Sequence, residues 1–457
     1  MTLGAADDVV RSPDLVSAKE KMALFRLAGF TAVRVTSQWL PGEVAPPETE
    51  LQILRNVTAA AQLSGVTVYL SVYPPSSRTT PLTPEAREQF AGYLTVLAQQ
   101  LPSLGNVIVG NEPNLNRFWL PQFNPDGTDA AAPAYLALLA RSYDALKAVN
   151  PAIRVWGGAL APRGVDRPNT GRDTHSPVAF LTDMGAAYRA SRRTAPIMDG
   201  LAFHPYAATS AQSPDTPHPY PTTIGLADYD RLIRTLATAF DGTPQPGSTL
   251  PILYDEFGVE SQIPPGKAKD YTGKEPATTS PVDEITQGEY YGRALQLAFC
   301  QPNVVGILLF HSQDEPALAS WQSGVYYVDG TPKSSLYAVR DALARVRGGS
   351  ISHCDGLALD VTPTTVRFPT PSELAHGSRA VRFTCSLDCA WDLRVESAAA
   401  GAVSARVTGY GRAGVPLVAS LTGRRLGVGP FKLTLTVTNP VNPGVPQTRE
   451  SAILGPL

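Results

Sequence analysis

The chain has 457 residues, 43% hydrophobic and 17% charged, with 38 lysines and arginines against 40 aspartates and glutamates. That length calls for two domains, or one large barrel with an appendage, and the even charge balance argues against nucleic acid or an anionic membrane as partner. No apolar run reaches the length of a membrane-spanning helix. The first residues, MTLGAADD, lack the basic and apolar regions of a signal peptide. Met1 stands almost against the first predicted strand, which reads as a trimmed start.

From residue 2 to about residue 347 strand and helix patterns alternate. The apolar stretches 2–6, 31–36, 66–73, 106–110, 153–160, 198–206, 251–258 and 304–312 predict eight strands. Between them the periodicity predicts helices, the first in DLVSAKEKMALFRLAG, where Leu15, Met22, Leu24, Phe25 and Ala28 recur at helical spacing. Asp14 is its expected N-cap and Gly29 its C-terminal stop. Further helices are predicted near 48–63, 84–100, 133–149, 177–191, 227–240, 287–300 and 334–347. Continuously apolar strands separated by helices imply a covered parallel sheet, and eight such pairs imply an α/β fold, the (β/α)8 TIM barrel. A doubly wound open sheet is the alternative, but no GxGxxG follows the first strand.

After about residue 350 the pattern changes to period-2 alternation broken by Pro, Gly and Asn, as in RAVRFTCSLDCAWDLRVES and FKLTLTVTNPVNPG. This predicts a C-terminal β-sandwich domain over 351–457, behind a catalytic barrel over 1–350. Its single tryptophan, Trp391, favours a packing role over sugar binding. Cys385 and Cys389 lie in TCSLDCAW; a local disulfide is favoured there over free thiols or zinc, because only His353 and His376 are near and the chain has no CxxC. Cys300 and Cys354 are candidates for a second bridge, and an oxidising, secreted setting is favoured.

Reactive groups of a (β/α)8 barrel sit at the C-terminal strand ends. The ends of strands two, four, six, seven and eight carry Arg34, Asn111 and Glu112, His204 and Tyr206, Asp255 and Glu256, and Phe310 and His311, and strand one ends close to Asp7 and Asp8. One polar residue at a strand end is an ordinary turn residue; five strand ends in register are not. Glu112 and Glu256, on strands four and seven, face one another across the mouth, which suits glycoside hydrolysis by an acid and an opposed carboxylate. Asp255 reads as structural. A metal hydrolase using His204, His311, Asp7, Asp8 and Glu256 is disfavoured, since no HxH or HExxH supplies paired imidazoles. Trp39, Trp119 and Trp156 are open to cleft or packing roles, and Trp119, in NRFWLPQF, is the better candidate for stacking on sugar.

The stretch VIVGNEPN at the end of strand four, with ILYDEFG carrying a second glutamate on strand seven, resembles clan A of the glycoside hydrolases over roughly residues 1–350, most closely the family 5 and family 39 types. The resemblance implies that Glu112 is the general acid/base and Glu256 the nucleophile of a retaining hydrolase of β-type glycosidic bonds. It implies that Asn111 binds the sugar 2-hydroxyl, that Arg34 lies near the nucleophile, and that one of His204 and Tyr206 contacts it. Many members carry a tryptophan at the end of strand eight; here Phe310 and His311 stand there, with Trp321 ten residues on and expected to fold back over that surface. No cofactor or metal is implied. The expected partner is an oligosaccharide or other β-glycoside, bound by Arg34, Asn111, His204, Tyr206, Trp119, His311 and Trp321, and oligomeric state is left open. Long loops at 113–132, 207–226 and 259–286 suggest a walled pocket or short cleft. A transglycosylase on the same site and a non-catalytic sugar-binding barrel are the rival readings.

Overall fold

The computed structural model describes residues 1–347 and, further on, 366–367, 380–386, 389–397, 403–411, 414–422, 426, 430–439 and 442–453. Two compact units are present, Met1–Tyr229 with Leu250–Leu359, and Asp230–Thr249 with Asp360–Leu457.

A closed barrel of eight strands in sequence order lies in the first unit: β1 (Thr2–Ala6), β2 (Ala32–Gln38), β3 (Thr67–Tyr73), β4 (Asn106–Val109), β5 (Arg154–Leu160), β6 (Gly200–Phe203), β7 (Ile252–Phe257) and β8 (Val304–Phe310). Each pairs in parallel with its neighbours, and β8 closes on β1. Helices alternate with them along the chain: α1 (Leu15–Ala28), α2 (Glu48–Ser64), α3 (Pro84–Gln100), α4 (Ala131–Val149), α5 (Pro177–Ser191), α6 (Tyr229–Phe240), α7 (Glu284–Cys300) and α8 (Ser335–Arg347). The α/β barrel predicted from the pattern is the fold observed.

Local chemistry sets these limits. The Asp14 side chain accepts from the Ser17 N–H at 2.8 Å, capping the start of α1. Gly29 closes the same helix in the left-handed region, φ 96°. One buried cluster takes side chains from seven of the strands: Ala32, Tyr69, Ile108, Trp156 with Ala159, Ala202, Leu253 and Leu308. Gly200 makes room for it, because a Cβ there would stand 2.3 Å from the Trp156 ring. Strand β6 ends at Phe203, earlier than the predicted 206. The His204 N–H still reaches the Leu160 carbonyl, but Pro205 has no N–H with which to continue the ladder.

Two antiparallel sheets are found in the second unit. One is three-stranded, with β10 (Ala380–Cys385) between β9 (Val366–Arg367) and β13 (Leu417–Ser420). The other runs in the order β12 (Val403–Gly411), β11 (Cys389–Ser397), β14 (Phe431–Asn439), β15 (Asn442–Ile453). Both sheets bury residues in one core, Val381 and Phe383 from the first and Leu393, Val395, Leu433 and Leu435 from the second, as in a β-sandwich. Cys385 and Cys389 are joined by a disulfide. Cys300 is also disulfide-bonded; position 354 lies outside the described residues, as do His353 and His376.

Candidate active site

Backbone geometry at the end of β4 brings the first glutamate to the mouth. Gly110 takes φ 90°, a conformation open to glycine, and a Cβ there would press to 2.9 Å from the Tyr135 ring. Two residues on, Glu112 itself adopts φ 41°, uncommon for a residue with a side chain and characteristic of strained functional positions. Its N–H donates to the Ala159 carbonyl at 2.8 Å, and Ala159 lies in a β5 irregularity with its own φ of 46°. Asn114 braces the turn from below. It is fully buried, accepts from the Ala161 N–H at 3.0 Å and donates to the His175 carbonyl at 2.9 Å.

The second glutamate is held by donors from β2 and from the segment just past β6. Arg34, on β2, donates through Nη1 to Glu256 Oε1 at 2.6 Å, and Tyr206 Oη donates to Oε2 at 2.9 Å. The other terminal guanidinium nitrogen, Nη2, donates to Asn111 Oδ1 at 2.7 Å and to Ser71 Oγ at 3.1 Å. With its oxygen engaged, the Asn111 amide is left with its Nδ2 donors for the cavity it lines. Arg34 Nε lies 3.2 Å from Asp255 Oδ2. Burial works against the guanidinium charge, yet Glu256 and Asp255 outweigh it and strengthen the cation. Burial, then the charges of Glu256 and Glu112, raise the Tyr206 hydroxyl well above its ordinary value, so it remains a proton donor.

His204 ties the two glutamates together. Its Nδ1 lies 3.0 Å from Glu112 Oε1 and 3.5 Å from Glu256 Oε2, and its Nε2 lies 3.4 Å from Asp255 Oδ2. Both ring nitrogens therefore face carboxylates, which suits the imidazolium form. Burial opposes that charge, but Glu256 and Asp255 push His204 up to about 10. Asp255, fully buried, moves the other way: burial would raise it, and His204 and Arg34 lower it. The distances from one nitrogen also bound the site. Laid end to end they put the Glu112 and Glu256 oxygens at most about 6.5 Å apart, a limit reached only if Nδ1 lay on the line between them.

Above this cluster opens a cavity of about 570 Å³ lined by Arg34, Asn111, Glu112, Tyr206, Glu256, His311 and Trp321, among others. A second, of about 490 Å³, shares Glu112, Arg117, Tyr206 and Trp321 with the first. Trp321 does fold back: its ring lies 5.1 Å from Tyr206 and 5.2 Å from Phe310. His311 Nδ1 is 2.7 Å from the Ala6 carbonyl, which can only accept, so Nδ1 carries the proton.

Two sequence expectations need correction. Trp119 does not offer a stacking face. It is 2% exposed and packs edge-on against Tyr135, while its neighbours Arg117 and Phe118 line the cavity. His204 is not a substrate contact; it is fully buried beneath the carboxylates, with Tyr206 reaching the cavity in its place. Trp39 and Trp156 are core residues. Sequence reasoning missed Phe118, Glu315 and the brace at Asn114. The repeated asparagine in NEPN was the available signal for the last; the first two sit on loops whose course no periodicity reports.

No protein-family model matches the sequence, and neither does any curated protein. Solved structures do resemble the chain. GH5_18 from Streptomyces cattleya, in complex with GlcNAc, has 17% identity and a TM-score of 0.51 over 76% of this chain and 80% of its own. GH5_18 from Bifidobacterium longum, in complex with Manβ1-4GlcNAc, has 13% identity and a TM-score of 0.51 over 76% of this chain and 78% of its own. Against β-glucuronidase 2 of Bacteroides uniformis, identity is 12% and the TM-score 0.48; the match takes in 98% of this chain but spans only 45% of that protein's length. At such identities the likeness to the two GH5_18 structures establishes a shared barrel fold and no more.

Proposed function

We propose that the chain is a retaining hydrolase of β-type glycosidic bonds, with Glu256 as nucleophile and Glu112 as acid/base. The observation that carries this reading is that one imidazole nitrogen, His204 Nδ1, lies within 3.5 Å of an oxygen of each glutamate, so Glu112 Oε1 and Glu256 Oε2 stand at most about 6.5 Å apart and closer for any bent arrangement. Retaining enzymes hold their carboxyl groups about 5–5.5 Å apart, whereas inverting enzymes need room for a water between them. The fold shared with the GH5_18 structures supports glycosidase chemistry at this mouth.

In the first step a Glu256 oxygen attacks the anomeric carbon as the bond to the leaving oxygen breaks, and Glu112 gives that oxygen its proton. In the second step Glu112 takes a proton from water, water attacks the same carbon, and the Glu256–sugar bond breaks. Arg34 and Tyr206 donate to the two oxygens of Glu256. These bonds restrain its attack somewhat and favour its departure as an anion in the second step. Asn111 Nδ2 is placed to donate to a sugar hydroxyl beside the reacting carbon. The walled cavity of about 570 Å³ supports a short glycone over a long polymer, and the Cys385–Cys389 bridge supports an extracytoplasmic setting.

Paired variants test the roles. Glu256→Gln should lose about four to six powers of ten in kcat, as when other covalent nucleophiles are removed. Glu112→Ala should lose turnover on poor leaving groups but still react with dinitrophenyl β-glycosides, and azide should restore its turnover to give the β-glycosyl azide. An α-azide from Glu112→Ala, or no rescue of either variant, would overturn the assignment.

A further inference from the structure

If Glu256 is the nucleophile and Glu112 the acid/base, the two cavities acquire identities. The glycone must lie where the nucleophile is, and Glu256 lines the first cavity but not the second. The acid must stand between glycone and leaving group, and Glu112 lines both. The cavity of about 490 Å³ is then the leaving-group side.

The two sides differ in charge. Besides the two glutamates, the glycone side carries Asp7, Asp8, Asp314 and Glu315, against Arg34, already engaged by Glu256, Asp255 and Asn111, and Arg117, which both cavities share. Asp7 is filled by the Ser312 N–H and hydroxyl at 3.0 and 2.6 Å, and Asp314 is paired with Lys333 Nζ at 2.8 Å. Asp8 and Glu315 accept from the Thr36 and Trp321 N–H groups at 2.7 and 3.0 Å and keep further lone pairs, a wall suited to sugar hydroxyls and unfavourable to an anion. The leaving-group side carries Arg163, with Arg117 on the wall that the two cavities share. Neither forms an ion pair with a carboxylate among the described residues. Arg163 Nη1 donates to the Ala207 carbonyl at 3.2 Å, and Arg117 lies over the Phe118 ring at 5.3 Å. The remaining acid there is Glu260, which burial pushes up to about 7, so near neutrality it offsets the two guanidiniums only in part.

A guanidinium fork matches a planar oxyanion and keeps its charge at any working pH. We propose that the substrate joins an uncharged glycone to a leaving group bearing an oxyanion, carboxylate or sulfonate-like, which Arg163 and Arg117 hold beside Glu112.

The test takes whichever sugar is turned over in a panel of 4-nitrophenyl β-glucoside, β-xyloside, β-galactoside and β-mannoside. It compares three leaving groups on that sugar: 4-nitrophenol, 3-carboxy-4-nitrophenol and 3-sulfo-4-nitrophenol. One charge-assisted contact predicts a kcat/KM for at least one anionic substrate about tenfold above that for the neutral one. Arg163→Ala should lower that ratio about tenfold, and Arg163→Lys should keep part of it. The ratio within one preparation is independent of how much enzyme is folded. Preference for the carboxylate alone, the sulfonate alone or both supports the proposal and says which oxyanion fits. A wild-type ratio at or below one, or an Arg163→Ala loss equal for neutral and anionic substrates, overturns it while leaving the catalytic reading intact. Absence of turnover across the whole panel would overturn both.

Discussion

Beneath the mouth, Arg34, His204, Asp255 and Glu256 stand on or just past β2, β6 and β7 and meet within ion-pair distance of one another. Around the mouth, Arg117, Phe118 and Trp321 are carried by the segments between β4 and α4 and between β8 and α8. The floor is a set of charges that cannot relax apart, because each is buried against its opposite. The walls are aromatic and cationic side chains on loops, free to vary without disturbing the barrel. A site divided in this way keeps its chemistry in the strands and its selectivity in the loops, and that division can be tested by perturbing each half.

The largest effect is expected in the floor. Arg34→Met removes one partner of a buried cluster and leaves Asp255 and Glu256 facing each other with His204 as the remaining cation. Breaking a buried pair in this way costs about 3–5 kcal/mol, measured as a fall in unfolding free energy in urea. A loss under about 1 kcal/mol would mean that the cluster is solvated and not a rigid floor.

A smaller effect should appear with pH. His204 is raised from its ordinary 6.5 to about 10. Its stabilising contribution is therefore complete below about pH 6.5 and is lost as pH rises through about 10. The gap in Tm between the wild type and His204→Gln should be widest at pH 6 and narrow towards pH 10.5. A gap that is flat or widens over that range would argue for a neutral imidazole.

The smallest effect belongs to the wall. Trp321→Ala should raise KM about tenfold, the scale of one lost aromatic contact, with little change in kcat. Equal losses in kcat and kcat/KM would instead make Trp321 a transition-state contact and blur the division between floor and wall.

The same division explains what could be read in the sequence. The floor was legible because strand periodicity numbers the strand ends, and Asn111, Glu112, Asp255 and Glu256 fall there in quotable motifs. Helices such as α3 (Pro84–Gln100) and α5 (Pro177–Ser191) kept their predicted limits because cap residues Thr83 and Ser176 mark their starts. Trp119 was misread because tryptophan on a loop suits stacking on sugar, and nothing in NRFWLPQF says which of Phe118 and Trp119 turns inward. The role of His204 was blurred for a different reason: sequence places it at the mouth, but only the depth of β6 shows that it lies under the carboxylates. Loop course and side-chain depth are set by packing between distant segments, which local pattern does not encode.

The claim most in need of a direct test is that Glu256 forms the bond to the sugar. Incubation with 2,4-dinitrophenyl 2-deoxy-2-fluoro-β-glycosides of the gluco, xylo, galacto and manno series should trap the glycosyl-enzyme, since fluorine slows both its formation and its hydrolysis while the activated leaving group speeds its formation alone. Peptide mass spectrometry should then find one fluorosugar on the peptide containing Glu256 and none on that containing Glu112. A label on Glu112, or turnover without any covalent adduct and with inversion at the anomeric carbon, would contradict the account.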